Sequence, residues 1–196
     1  RYDAKHDRFQ LVYKLPDEVV KGNPTPVSYG FIDSNNIVWL CNEEALYLYD
    51  VDTGKTSVIK NHIGESITDI EQIDSEHYFI GTDVRIKAFN DKEILIATDG
   101  AGVYKMNVDS YKCDPYIVAD YNSYNAMNGN SIYDLYVDGD RIWMANYPIG
   151  ITVRNNQYAS YQWIKHSIGN RQSLVNDQVN AIIEDHEGDL WFATNN

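Results

Sequence analysis

Five short segments of this chain share one pattern: a bulky residue, an apolar residue, a small residue, then Thr or Asn. They are Trp39-Leu-Cys-Asn42, Phe79-Ile-Gly-Thr82, Leu95-Ile-Ala-Thr98, Trp143-Met-Ala-Asn146 and Trp191-Phe-Ala-Thr194. An Asp stands four to six residues before each, at Asp33, Asp74, Asp91, Asp138 and Asp185. An alternating apolar run precedes the Asp, clearest at residues 27–32, 132–137 and 179–183. Three copies continue into a third run, at 45–49, 102–106 and 149–153, and a fourth, more polar run closes the unit at 56–59, 115–118 and 158–164. Such self-similarity marks a repeat architecture, built by stacking one supersecondary unit. Alternation with period 2 and Gly- or Asn-containing turns make that unit four strands rather than a helix pair.

The second strand is apolar on both faces, as in Ile37-Val-Trp-Leu-Cys41. A continuous apolar run means that both faces are covered. Four-stranded sheets stacked radially meet that requirement, because each is sandwiched between two neighbours and only its outer strand reaches water. The fold class is therefore all-β, a β-propeller of four-stranded antiparallel blades. Phe79 follows Trp39 by 40 residues, and both Trp143 and Trp191 follow their predecessors by 48, which suits blade periods of roughly 40–50 residues. Leu95 follows Phe79 by only 16. The expected divisions are a half blade at 1–16, blades at 27–60, 84–118 and 131–164, and half blades at 67–83 and 179–196. The short spacing leaves no room for third and fourth strands in the unit at 67–83. Residues omitted between Asp83 and Val84 are the favoured explanation, since an open half blade exposes sheet edges. A closed ring has about four to eight blades, so the segment is a partial ring or a piece of a larger propeller of roughly seven blades.

Composition narrows the partners. Sixteen Lys and Arg against 29 Asp and Glu give a net charge of −13, which repels phosphate backbones and anionic membrane surfaces. No apolar run approaches the roughly 18–20 residues of a membrane helix. The 16 Tyr, 4 Trp and 5 Phe suit half-buried strands. Cys41 and Cys113 form neither a disulfide framework nor a metal cluster. Cys41 fills the small-residue slot of a buried strand and is expected to be an inert packed thiol. His6, His62, His77, His166 and His186 lack the paired spacing of a zinc site. The chain opens at Arg1, not Met, and is expected to be a processed or excised segment.

Residues 170–194, ending in Asp185-His-Glu-Gly-Asp-Leu-Trp-Phe-Ala-Thr194, closely resemble the two-component regulator propeller repeat. That repeat runs Asn-Ser-Leu-Ser-x-x-x-Val, an apolar alternation, then Asp-x-x-Gly-x-Leu-Trp-Ile-Gly-Thr. The copies ending near Trp39 and Trp143 match in part, and those at Phe79 and Leu95 lack the Trp. The resemblance implies the periplasmic sensor region of a hybrid two-component histidine kinase, best represented in gut Bacteroidetes. It implies two propellers, a β-sandwich domain, one membrane helix of an inner-membrane protein, and kinase and response-regulator modules outside this chain. It also implies carbohydrate sensing, a non-enzymatic role for this segment, contact with neighbouring propeller and β-sandwich domains, and a homodimer.

The repeated Asp residues could be read as calcium ligands or catalytic acids. Each is better placed to accept backbone N–H groups in the turn between first and second strands, and five turns in separate units cannot converge on one ion. The repeated Trp is expected to be packed between blades. Asp99-Gly-Ala-Gly102 looks like a phosphate loop, but no helix follows. A ligand is expected at the mouth of the channel, where the loops after the second strands and before the first strands gather. The candidate ligand-binding residues are Asn42, Glu43, Asp99, Asn146, Tyr147, Asn195 and Arg171. Amides and carboxylates would pair with sugar hydroxyls, Tyr147 would stack on a ring, and Arg171 would meet an acidic sugar. No cofactor and no metal is expected. Competing readings are a secreted carbohydrate-active enzyme, which would need two carboxylates at a suitable separation, and a protein-binding scaffold.

Overall fold

The computed structural model describes residues 5–9, 11, 27–61 and 66–195, together with the backbone of residues 2–3. His62, Asn196 and half of the residues of the expected half blade at 1–16 lie outside the described residues. Among those described there is no helix, and every regular element is a strand. The chain divides into two compact units, Arg1–Ile67 and Thr68–Asn196.

In the first unit, β1 (Tyr2–Asp3) pairs with β2 (Arg8–Phe9). A four-stranded antiparallel sheet follows, made of β3 (Tyr29–Ile32), β4 (Ile37–Cys41), β5 (Ala45–Asp50) and β6 (Thr56–Lys60), in sequence order across the sheet. β6 is exposed throughout, while Cys41, Ala45, Leu46 and Tyr47 are buried in the middle strands.

The second unit begins with a two-stranded sheet, β7 (Ile67–Gln72) and β8 (Tyr78–Thr82). Asp83, at φ 56°, is the one residue between β8 and β9 (Val84–Asn90). β9 continues with β10 (Glu93–Thr98), β11 (Gly102–Asn107) and β12 (Cys113–Ile117) as a four-stranded sheet. The next sheet is β13 (Ile132–Asp138), β14 (Arg141–Asn146), β15 (Gly150–Asn155) and β16 (Ser160–Ile164). β17 (Val179–Glu184) and β18 (Leu190–Thr194) form the last pair. This is the strand order of propeller blades, each running through consecutive antiparallel neighbours from inner to outer strand. Gly102 and Gly150 open the third strands at φ 82° and 100°. A Cβ at either would collide with the carbonyl oxygen of Ile117 or Ile164 on the fourth strand, so only glycine fits that approach.

Apolar side chains are buried between successive sheets of this unit. Leu95, Ala97, Val103 and Ile117 meet Ile132, Leu135, Ile142 and Met144 in one core, with Met127 from the connecting loop. Ala145, Ile151 and Val153 meet Val179 and Ile182 in the next. Trp143 faces that second core and packs on Phe192 at 6.1 Å. Trp191 departs from the expectation of burial: it is 62% exposed, beside its cross-strand partner Ile183 at 66%. The alternation of the pleat explains this. Ile182 and Phe192 point toward the β13–β16 sheet, and Ile183 and Trp191 point to the opposite face.

The turn reading of the repeated Asp holds at three positions and shifts at the others. Asp33 Oδ1 accepts the N–H groups of Asn35 and Ile37, and its Oδ2 accepts the Trp39 indole N–H at 3.0 Å. Asp185 repeats all three bonds with Glu187, Asp189 and Trp191. The pattern Asp-x5-Trp thus staples a turn to the strand after it. Asp74 accepts the N–H groups of Glu76 and His77. At the third copy Asn90, one residue before Asp91, accepts the N–H of Lys92. Asp138 pairs with the Arg141 guanidinium instead, and the Trp143 indole N–H, one residue nearer its Asp, finds no partner.

A second set of carboxylates was not anticipated. The first strand of each sheet is an edge, whose free N–H groups need acceptors. Asp69 on β7 accepts the N–H of Ile70 at 2.9 Å and of Ile86 on β9 at 2.5 Å. Asp134 on β13 does the same for Leu135 at 2.9 Å and Ile182 on β17 at 2.7 Å. One side chain therefore satisfies its own strand and clamps the next sheet. Burial, partly offset by these two N–H bonds, raises the Asp134 pKa above its ordinary value.

Two outcomes follow from this packing. Asp134→Ala leaves two N–H groups without their acceptor and is expected to cost about 2–4 kcal/mol, measurable as a lowered urea midpoint. Folding favours the protonated form of Asp134, so its contribution falls as pH rises from the ordinary carboxylate range through the raised value. That slope is expected to vanish in the same variant, and an unchanged pH profile would refute the assignment. Cys41 is fully buried and its thiol is pushed up to about 11 by burial, whereas Cys113 is exposed. A thiol reagent at pH 8 is expected to label one cysteine in the native protein and both after unfolding.

Candidate functional site

A concave pocket of about 520 Å³ opens in the second unit where the first strands begin. It is lined by Thr68 of β7, Asp83, Val84 and Arg85 of the β8–β9 junction, Asp99 after β10, Ile132 and Tyr133 of β13, and Asn180 of β17. Four inner strands thus bring their leading residues to one opening. Val84 and Ile132 supply apolar wall, and Thr68, Arg85, Tyr133 and Asn180 follow as the second residue of each strand.

Two of these side chains are placed by bulges. Ile132 pairs with Asn146 and Asp134 with Ala145, which leaves Tyr133 as the extra residue. Val179 pairs with Thr194 and Ala181 with Ala193, which leaves Asn180 in the same situation. A bulge bends the strand and re-aims its unpaired residue. Tyr133 is half-buried and lies parallel to Tyr147, with ring centroids 4.5 Å apart and an interplanar angle of 3°. Burial, then the carboxylate of Asp99, raises the Tyr133 phenol above its ordinary pKa, so the ring stays uncharged at neutral pH.

A chain of amides connects Tyr147 to the pocket-lining Asn180. Gln178 donates to the Tyr147 hydroxyl at 3.3 Å. Asn195 donates to Gln178 Oε1 at 2.8 Å, and Asn180 donates to Asn195 Oδ1 at 2.7 Å. Thr68 Oγ1 donates to the Val84 carbonyl at 3.0 Å. The result is a pocket with an aromatic wall, one guanidinium, carboxylates at Asp83 and Asp99, and an amide-bearing rim. Aromatic faces and planar hydrogen-bonding groups of this kind suit a small polar ligand that has apolar faces. No group of three or more His, Cys, Asp or Glu side chains able to hold a metal ion occurs among the described residues.

Of the residues singled out from sequence, Asp99 lines the pocket, Tyr147 backs Tyr133, and Asn195 orders Asn180. Asn146 is fully buried beneath them, donating to the Gly129 carbonyl and Thr152 Oγ1. Arg171 is exposed in the loop before β17 and does not line the pocket. Asn42 and Glu43 belong to the first unit: Asn42 is buried, its Oδ1 accepting the N–H groups of Glu44 and Ala45, and the Glu43 carbonyl accepts from Asn61. Thr68, Arg85, Tyr133 and Asn180 were missed. Their signal was a polar or aromatic residue directly after the first apolar residue of an inner strand.

Residues 173–196 match the family model of the two component regulator propeller. The last unit of this chain is thus similar to the two component regulator propeller repeat. Its Asp185–Trp191 staple, its Asn180 bulge and the Gln178–Asn195 pair all fall inside the matched stretch. No curated protein matches the chain. Among solved structures, the extracellular domains of two hybrid two component systems of B. thetaiotaomicron are similar to it. BT4673 is 18% identical, with 86% of this chain and 20% of that one covered, at a TM-score of 0.46. BT3049 is 17% identical, with 86% and 22% covered, at 0.48. The computationally designed Ika4 protein is 12% identical, with 95% and 99% covered, at 0.34. The chain spans about a fifth of the length of the two B. thetaiotaomicron domains.

The position of Tyr147 depends on its buried neighbour. A Cβ at Gly129 would lie 2.5 Å from Ile149 Cδ1 and 2.9 Å from Asn146 Oδ1. Gly129→Ala is expected to displace this segment and cost about 1–3 kcal/mol through overpacking, read as a lowered melting temperature. An unchanged melt would show that Asn146 does not anchor the wall.

Proposed function

We propose that this chain is a ligand-sensing, non-enzymatic propeller segment of a hybrid two-component receptor, that its ligand is a carbohydrate, and that the kinase lies outside the chain. The family match at residues 173–196 supports the receptor class. The pocket at the head of the inner strands supports the ligand class, and one observation carries it: Tyr133, thrust out by a bulge and backed by Tyr147, offers a flat, uncharged face between hydrogen-bonding carboxylates and an amide. A pyranose presents apolar C–H faces for such a ring and hydroxyls for its neighbours.

In this reading the segment is periplasmic and contacts neighbouring propeller and β-sandwich domains of a homodimeric receptor. Binding spans the leading ends of four inner strands, so an occupied pocket favours one arrangement of those sheets over another. A signal passes only if the ligand binds the two arrangements with different affinity.

The test is a calorimetric titration of the chain with a panel of oligosaccharides, alongside product analysis after prolonged incubation. Binding without turnover is expected, with Tyr133→Ala weakening it at least about tenfold, since a well-packed aromatic contact contributes roughly 1–3 kcal/mol. Tyr124→Ala, at a fully exposed side chain, serves as the control and should leave affinity unchanged. Released products would establish an enzyme instead, and equal affinity in the Tyr133 variant would remove the pocket assignment.

A further inference from the structure

The cation in this pocket, Arg85, forms no ion pair among the described residues. Arg85 pairs with Ala97 in the β9–β10 ladder as Asp134 pairs with Ala145 in the β13–β14 ladder. It therefore occupies the place where β13 carries its clamping carboxylate. A guanidinium cannot accept a hydrogen bond. The Leu135 N–H, which stands in register where Ile86 and Ile182 stand in their own strands, is taken by Asp134 of the same strand. Substituting Arg for Asp at this one junction gives up a clamp.

Apart from a through-space attraction to the Asp134 carboxylate, which favours its ionised form, no charged group among the described residues engages the charge that replaces it. Among the described residues Arg85 forms no ion pair, and its hydrogen bond is a 3.3 Å contact to the adjacent Val84 carbonyl. Asp83 and Asp99, though they line the same pocket, do not pair with it either. The other charged groups facing it across the inner strands are Asp69 and Asp134, both engaged with backbone N–H groups. A half-buried guanidinium in a strongly acidic chain, open to a pocket and in ion-pair contact with no carboxylate among the described residues, is a prepared anion site.

We infer that the pocket selects an acidic saccharide, its carboxylate or sulfate received by Arg85, its ring by Tyr133 and its hydroxyls by Asp83, Asp99 and Asn180. This rests on the proposal that the pocket binds glycans and adds the charge of the ligand. Asp83 and Asp99 accept from hydroxyls but repel an anion, so the acidic group must sit on the Arg85 side. The arrangement discriminates by orientation as well as by charge.

The experiment titrates the chain, Arg85→Gln and Arg85→Lys with three probes: an oligogalacturonate, a sulfated galactan oligosaccharide and an uncharged galactan oligosaccharide. Far-ultraviolet dichroism confirms that each variant is folded. Binding of an acidic probe, weakened about 10–100-fold in Arg85→Gln and less in Arg85→Lys, is the expected result, because a charge-assisted bidentate contact is lost. Which of the two acidic probes binds distinguishes carboxylate from sulfate. Binding of the uncharged probe alone, or acidic binding indifferent to Arg85→Gln, overturns this inference and leaves the glycan reading in place. If Arg85→Gln does not fold, binding of the acidic probe to wild type at low salt that is unchanged in 0.5 M salt overturns it equally. Failure of all three probes overturns both.

Discussion

The inner edge of each blade governs the rest of this structure. A sheet whose first strand has no neighbour on one side exposes a row of N–H groups, and these need acceptors. Asp69 and Asp134 meet that need with both carboxylate oxygens, one for their own strand and one for the next sheet. Apolar packing between sheets is non-directional and would tolerate sliding. Two hydrogen bonds from one short side chain would not, so the clamps fix how far β9 stands from β7 and β17 from β13. They thereby set two sides of the opening that those strands surround.

The pocket grows from the same strands. Where β13 and β17 carry a bulge, Tyr133 and Asn180 are turned out of the ladder and toward the opening. Where β9 runs straight at that end, Arg85 takes the register of a clamp without forming an ion pair among the described residues. Departures from the repeat, rather than the repeat itself, make the pocket chemically particular. This is the expected place for function, because a residue that serves the fold in every copy is not free to serve a ligand.

Much of the architecture could be read in advance. Alternation gave the strands, and the apolar second strands gave the sandwiching of each sheet, because covering both faces leaves no other arrangement. The turn Asp residues were legible from their spacing to the next strand, though the bond to the Trp indole was not. That bond requires Asp and Trp to lie on one side of the turn, which holds for Asp33 and Asp185 and fails for Asp138, whose turn is one residue shorter. The burial of Trp191 was misjudged because a pleat gives each strand two faces, and only one of them meets a neighbour within this chain.

The candidate site was legible only in part. Asp99, Tyr147 and Asn195 were identified as loop residues after second strands, and all three take part in or support the pocket. The larger share of its lining came from the heads of first strands, where sequence shows only a polar residue between apolar ones. By itself, then, the sequence determined strand order, sheet composition and which strands lie inside, since these follow from local periodicity and from the burial of apolar faces. Only the tertiary structure decided which polar residues share a pocket. A bulge exists only against the register of a partner strand, and a clamp only against the neighbouring sheet, so neither is a property of the segment that carries it.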